Sequence, residues 1–181
     1  MALFAIGALF LALGSQAACI AASASELACL SRPQIRVAAP SSSWKFTRTQ
    51  GPKDGESFAS IMKTADTTQS DPDFAGLIVR CAPRGKIDVL LPLIRPFSPK
   101  SHPKVTITSA MGGTLTFEAS MAAAGAAVLL PDEVSAFAAG KWQTTPSLSV
   151  VVQESDSEIK GMVALNGLRE AYHSLLTNCG Q

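Results

Sequence analysis

Two histidines, His102 and His173, are the only imidazoles in this chain, and imidazole is the side chain that most often serves as general base near neutral pH. His102 sits in Pro99-Lys100-Ser101-His102-Pro103, a loop composition in which solvent exposure is the plain expectation. His173 follows Tyr172 close to the end of an amphipathic segment, where a cation complements the carbonyl end of a helix. A hydrolase would place a nucleophile beside one of them, yet the sequence contains no Gly-x-Ser-x-Gly elbow. Asp71-Pro72-Asp73 and Asp54-Gly55-Glu56 have the spacing of paired carboxylates. Proline and glycine inside those triplets mark turns instead, and no further acidic cluster completes a calcium loop. Neither a phosphate-cradling glycine loop nor a Cys-x-x-Cys pair occurs, so nothing points to a nucleotide, a zinc ion or a thioredoxin-like centre. Trp44 and Trp142 are expected in the core or at a sheet edge rather than as sugar-stacking platforms. No reaction, metal or cofactor is indicated, and the chain reads as a non-enzyme.

The chain's charges bear on what it binds. Fifteen Lys+Arg against fourteen Asp+Glu leave a net charge of +1, which provides no field for nucleic acid. Aromatic residues, at 6%, do not interleave with the basic ones as a single-strand binder requires. Six basic residues do gather between Arg80 and Lys104, namely Arg80, Arg84, Lys86, Arg95, Lys100 and Lys104, against the lone acid Asp88. A solvated loop face accounts for that run; the sharper reading is a contact for an anion or an acidic partner.

The elements that position these residues begin with a segment expected to be removed. Met1 to Leu13 is an apolar run of signal-peptide length, followed by small residues, and Ser15-Gln16-Ala17 suits a signal peptidase. A second cleavage position follows Ala24. Thirteen residues are too few for a bilayer span, which needs ~20, so no stable span is expected after cleavage. Residues 1–17 therefore read as a signal peptide, 18–43 as a cysteine-containing helical segment with a linker, and 44–181 as a β-rich domain. An exported chain with four cysteines, Cys19, Cys29, Cys81 and Cys179, reads as disulfide-bonded, with three connectivities open. Periplasmic or secreted localisation follows.

Ser23 to Glu26 fits a capping box for a short helix over 24–30, and Arg32 to Ser43 is a Pro, Ala and Ser-rich linker. Alternating large apolar and polar residues predict strands at 44–48, 57–64, 76–81, 86–91, 105–108, 115–117, 126–130, 148–152 and 161–165. Asp132 is placed to cap a short helix over 133–139, stopped by Gly140, and an acidic loop joins the last two strands. Leu168, Ala171, Tyr172, Leu175 and Leu176 recur at helical spacing over 167–178. Short strands with hairpin turns and a terminal helix make a mainly β, α+β domain: an antiparallel β-sandwich or curled barrel with a C-terminal helix.

Four segments in register resemble the type VI secretion system-associated TagO/VasI family. Cys19-Ile20 and Leu27-Ala28-Cys29 resemble its opening cysteine pair, and Trp44 with Pro52-Lys53-Asp54 its Trp … Ser-Pro-x-Asp-Asp segment. Leu77-Ile78-Val79-Arg80-Cys81 is similar to its Leu-Val-Ile-Arg-Cys strand, and Leu165-Asn166-Gly167-Leu168 through Cys179 to its closing helix. Glu26 and Leu30-Ser31 stand where the family carries Arg and Tyr-Asp. The resemblance implies an envelope accessory protein that acts through contacts with envelope or secretion-machinery proteins. The invasion-associated locus B family, secreted host-interaction proteins that are also small, cysteine-paired and β-rich, is the second likeness. An envelope hydrolase or sugar-binding module is a third class. The expected pairing is Cys81–Cys179 with Cys19–Cys29, because Cys81 ends a strand and Cys179 follows the helix that must pack on the sheet.

Overall fold

Period-2 alternation of buried residues runs through most of this chain, and the strands it builds stack as two sheets. The computed structural model describes residues 44–50, 57–82 and 85–179. Among these the strands are β1 (Lys45–Gln50), β2 (Ser57–Thr64), β3 (Gly76–Cys81), β4 (Ile87–Pro92) and β5 (Lys104–Ser109). They continue with β6 (Thr114–Glu118), β7 (Ser120–Ala122), β8 (Ala127–Leu129), β9 (Ser147–Glu154) and β10 (Ser157–Ala164). Two α-helices, α1 (Glu133–Ala139) and α2 (Leu168–Thr177), complete the set. The first sheet has the order β1-β2-β3-β4-β8-β7 and the second β10-β9-β5-β6, with every pairing antiparallel. A sandwich forms, and no barrel closes. The signal peptide, the helix over 24–30, the Cys19–Cys29 pair, the 51–55 turn and Arg84 lie outside the described residues.

The core lies between the two inner faces. Ala59, Ile61, Leu77, Val79, Val89, Leu91 and Val128 of the first sheet meet Val105, Ile107, Leu148, Val150, Val152, Ile159 and Val163 of the second. Burying each such side chain contributes roughly 1.5–3 kcal/mol, which is what fixes the register of each strand. Leu168, Tyr172 and Leu175 of α2 are buried, and that helix packs on β2 and β3. Leu176, counted on the apolar face of the sequence pattern, is 47% exposed, because the contact stripe is narrower than the periodicity. Burial raises the Tyr172 phenol above its ordinary value and lowers the ammonium of Lys63, which is 5% exposed on the inner side of β2.

Cys81 and Cys179 form a disulfide with Cα atoms 5.7 Å apart, closing a loop of 98 residues. The bridge ties the end of α2 to the inner side of β3, as the strand-end and helix-end positions of the two cysteines imply. The sequence pattern otherwise misses β7 and shortens the β9–β10 hairpin. Its acidic loop is mostly strand, since Glu154 and Glu158 are paired residues and only Ser155 and Asp156 turn, Ser155 with φ 51. β6 and β7 are nearly one strand, bent at buried Ala119, so the chain passes from the second sheet to the first there.

The outward edge of β10 is sealed by the β2–β3 connection. The Asp66 N–H donates to Met162 O at 2.8 Å and the Asp71 N–H to Lys160 O at 2.9 Å. In return, the Lys160 N–H donates to Asp71 Oδ2 at 2.7 Å and the Met162 N–H to Ser70 Oγ at 2.8 Å. Asp71-Pro72-Asp73 is thus the turn its composition suggests, with Asp73 ion-paired to Arg95 at 2.8 Å. Phe74, at the end of the same connection, lies on Gly161, where a Cβ would collide with its ring.

Two outcomes follow from these contacts. Reducing Cys81–Cys179 should lower stability by ~2–4 kcal/mol, the usual effect of opening a long loop, measured by denaturant titration of oxidised and reduced protein. Equal midpoints would show that α2 holds without its covalent tie. Gly161→Ala should cost ~1–3 kcal/mol through overpacking against Phe74, with Phe74→Leu in the same chain restoring part of the loss. An undiminished Tm in the single variant would contradict the close approach.

Candidate functional site

Because side chains alternate along a strand, the residues that do not enter the core stand together on the outer face of the first sheet. The registers place Ser60, Arg80 and Asp88 side by side across β2, β3 and β4. Met62, Ile78, Leu90 and Leu129 form the next row. A groove of about 500 Å³ opens over this face, bounded by Phe58, Ser60, Ile78, Arg80, Leu90 and Ala127. Its far rim is the connection from β7 to β8, an alanine-rich stretch in which Ala123 and Ala124 take φ of 49 and 55. Left-handed alanine costs on the order of 1 kcal/mol per residue. The packing that compensates includes Gly125, whose carbonyl accepts from the Phe97 N–H at 3.1 Å and whose own α-carbon leaves no room for a side chain.

Charge at one end of the face is organised around Asp88, 8% exposed. One oxygen, Oδ2, accepts from Arg80 Nε at 3.3 Å and Nη2 at 3.1 Å. The other lies 3.8 Å from Lys86 Nζ, and Lys86 in turn reaches Asp132 at 2.6 Å. The hydrogen bond to Asp132, with Asp88 behind it, holds the Lys86 ammonium above its ordinary value. Asp132 stands at the start of α1 but makes no capping bond there; its carboxylate is committed to Lys86 instead.

The basic run of the sequence is therefore dispersed rather than gathered. Arg80 and Lys86 share Asp88, Arg95 is bound to Asp73, and Lys100 and Lys104 are exposed on the Ser98–Pro103 loop and on β5. His173 is exposed on α2. His102 does enter a cleft, of about 260 Å³, together with Glu118, Ser120, Leu130 and Asp132. These residues line one cleft through tertiary structure that no sequence motif announces, with the Asp132 carboxylate held by Lys86 and no hydrogen bond joining the others to one another among the described residues. Trp142 is buried at 4% exposure with its ring 6.3 Å from that of Phe137, and half-buried Trp44 donates Nε1–H to Asn166 O at 3.1 Å. Both are packing residues, as the sequence suggests. Beside Trp142, Ile107, Leu115, Phe137 and Lys141 enclose an apolar notch of about 270 Å³ under the β5–β6 hairpin. No group of three or more His, Cys, Asp or Glu among the described residues has the arrangement of a metal site.

Against this geometry, no protein-family model, curated protein or solved structure matches the chain.

Replacing Asp88 with Ala removes a buried carboxylate from two cations that are each about half exposed. The expected loss is ~1–2 kcal/mol, below that of a fully buried pair because solvent relieves the stranded cations. Asp88→Asn should lose less, since an amide oxygen still accepts from Arg80. Urea titrations of both variants check the ordering.

Proposed function

We propose that this chain is an exported envelope accessory protein that acts by holding another protein rather than by catalysis, in the way the likeness to type VI secretion-associated proteins implies. The observation that carries the reading is the β5–β6 hairpin. Met111 and Leu115 stand 71% and 40% exposed there, next to the notch lined by Ile107, Phe137 and Trp142. β6 is an outermost strand, and its Thr114-Leu115-Thr116 stretch carries no charge to repel an incoming strand. An extended segment of an envelope or secretion-machinery protein fits by strand addition, with main chain on β6 and one apolar side chain in the notch. The Cys81–Cys179 bridge supports an oxidising compartment, and the apolar start of the sequence supports export to it. A secreted host-interaction role would use the same surface with a different partner. An envelope hydrolase is the second reading, favoured by the cleft that gathers His102, Ser120 and Glu118.

The test is made in the native organism. The exported protein should begin at or near Ala18, and a photo-crosslinker at Leu115 should join it to an envelope protein while one at His173 does not. Leu115→Glu should abolish the cross-link and the biological activity together, whereas His102→Ala leaves both unchanged. Activity lost in a folded His102→Ala variant would move the protein to the hydrolase class; Met1 retained in cytoplasmic protein would overturn the export reading.

A further inference from the structure

The groove on the outer face of the first sheet lies on different strands from the β5–β6 hairpin, and its chemistry is different. Seven of its lining positions are apolar carbon surface or small methyl groups: Phe58, Ile78 and Leu90 with the alanines at 59, 82, 123 and 127. At about 500 Å³ it falls within the usual range for small-molecule sites, roughly 300–1,000 Å³. Among the described residues that line it, Arg80 is the only charged one. Its guanidinium is not a loose surface group. Nε and Nη2 both donate to a single oxygen of Asp88, a carboxylate that is itself 8% exposed and placed in the neighbouring strand by the β3–β4 register.

A guanidinium has five N–H donors in a planar fork. The anchoring to Asp88 uses one edge of that fork and leaves Nη1 without a hydrogen-bond partner among the described residues. The side chain remains 43% exposed, so the open donors are accessible. Ser60, directly across the β2–β3 ladder from Arg80, adds a hydroxyl to the same end of the groove. One fixed cation beside an otherwise uncharged apolar trough is complementary to a ligand with one anionic head and an apolar body. A phosphate dianion would call for more than one cation, and Lys86, which shares Asp88 with Arg80, is already committed to Asp132 at 2.6 Å.

We propose that this groove binds an alkyl monocarboxylate, its chain lying over Phe58, Ile78, Leu90 and Ala127 and its carboxylate paired with Arg80. Asp88 is the positioning residue: it touches no ligand and holds the guanidinium toward the groove. The alanines at 123 and 127 give the trough its width, which any larger side chain there would close. The site stands independently of the accessory role, since none of its residues belongs to β5 or β6.

The experiment titrates the exported protein with carboxyl-labelled dodecanoate below its micelle-forming concentration, followed by calorimetry and by the carboxyl resonance. Dodecan-1-ol, with chain and no charge, and acetate, with charge and no chain, are run alongside. Dodecanoate should bind at least tenfold more tightly than dodecan-1-ol, and acetate should show no saturable binding. Arg80→Gln should weaken dodecanoate about tenfold, the usual scale of one charge-assisted pair, and leave dodecan-1-ol unchanged. Ala127→Phe, which leaves the Arg80–Asp88 pair intact, should abolish binding of both and so keeps the test sound if Arg80→Gln does not fold. Equal affinity for dodecanoate and dodecan-1-ol, or dodecanoate binding that survives Ala127→Phe, overturns the proposal. Tighter binding of a short apolar peptide through its C-terminal carboxylate than of dodecanoate also overturns it.

Discussion

The sandwich depends on how the outward edge of β10 is satisfied. A strand at the end of a sheet presents N–H and C=O groups that must find partners or stay in water. At Lys160 and Met162 both kinds of group are met by the β2–β3 connection, through the backbone of Asp66 and Asp71 and the side chains of Ser70 and Asp71. Those residues belong to the first sheet's chain path and β10 to the second, so one set of hydrogen bonds fixes the two sheets to each other. Glycine at 161 is the steric condition, because it lets Phe74 sit against the strand between the two bonded residues. Phe74 then forms a bridge with Leu93 at the end of β4, which extends the tie to the first sheet's centre.

With the inner faces locked, the outer face of the first sheet is free to hold polar groups that the core would reject. Asp88 illustrates the difference. Its neighbours in β4, Val89 and Leu91, point into the core, while its carboxylate points outward to two cations whose far sides reach water. A buried carboxylate in that position is tolerable because three N–H donors or ammonium groups surround it and solvent screens the excess. Strain is placed on the same side of the molecule, at Ala123 and Ala124, away from the stack of β-branched residues that supplies the stability.

The sequence discloses those parts of the fold that are written in periodicity. β2 and β3 occupy the residues that alternation marks, and α1 ends at the glycine that should stop it. Residues 120–122 have no such signal: Ser120, Met121 and Ala122 form a strand only because Ala119 turns the chain into reach of β8. Asp132 looks like a helix cap by position, and loses that role to Lys86, which lies far from it in sequence. The candidate site is less visible still. Arg80 and Lys86 stand out as part of a basic run, but nothing local tells which carboxylate each will meet. The groove exists because strand register aligns residues from β2, β3, β4 and β8, and register is a property of the assembled sheet. His102, in a loop, and Ser120, on β7, share a cleft only through the tertiary fold, which no local pattern announces.

The disulfide imposes an order of events on folding. Cys179 follows every strand of the domain in the chain, whereas Cys81 sits near the middle of the first sheet's path. Any chain that emerges from its N-terminus presents Cys81 long before its partner, and presents Cys19 and Cys29 earlier still. During that interval Cys81 is a thiol in reach of two wrong partners, and exchange through mixed disulfides is the only chemical route back from a premature bond. The native bridge can close only once Cys179, which lies beyond the last strand and α2 in the chain, is present. Once closed, it fastens the end of α2 to β3, a latch between the last element of the domain and the middle of its first sheet.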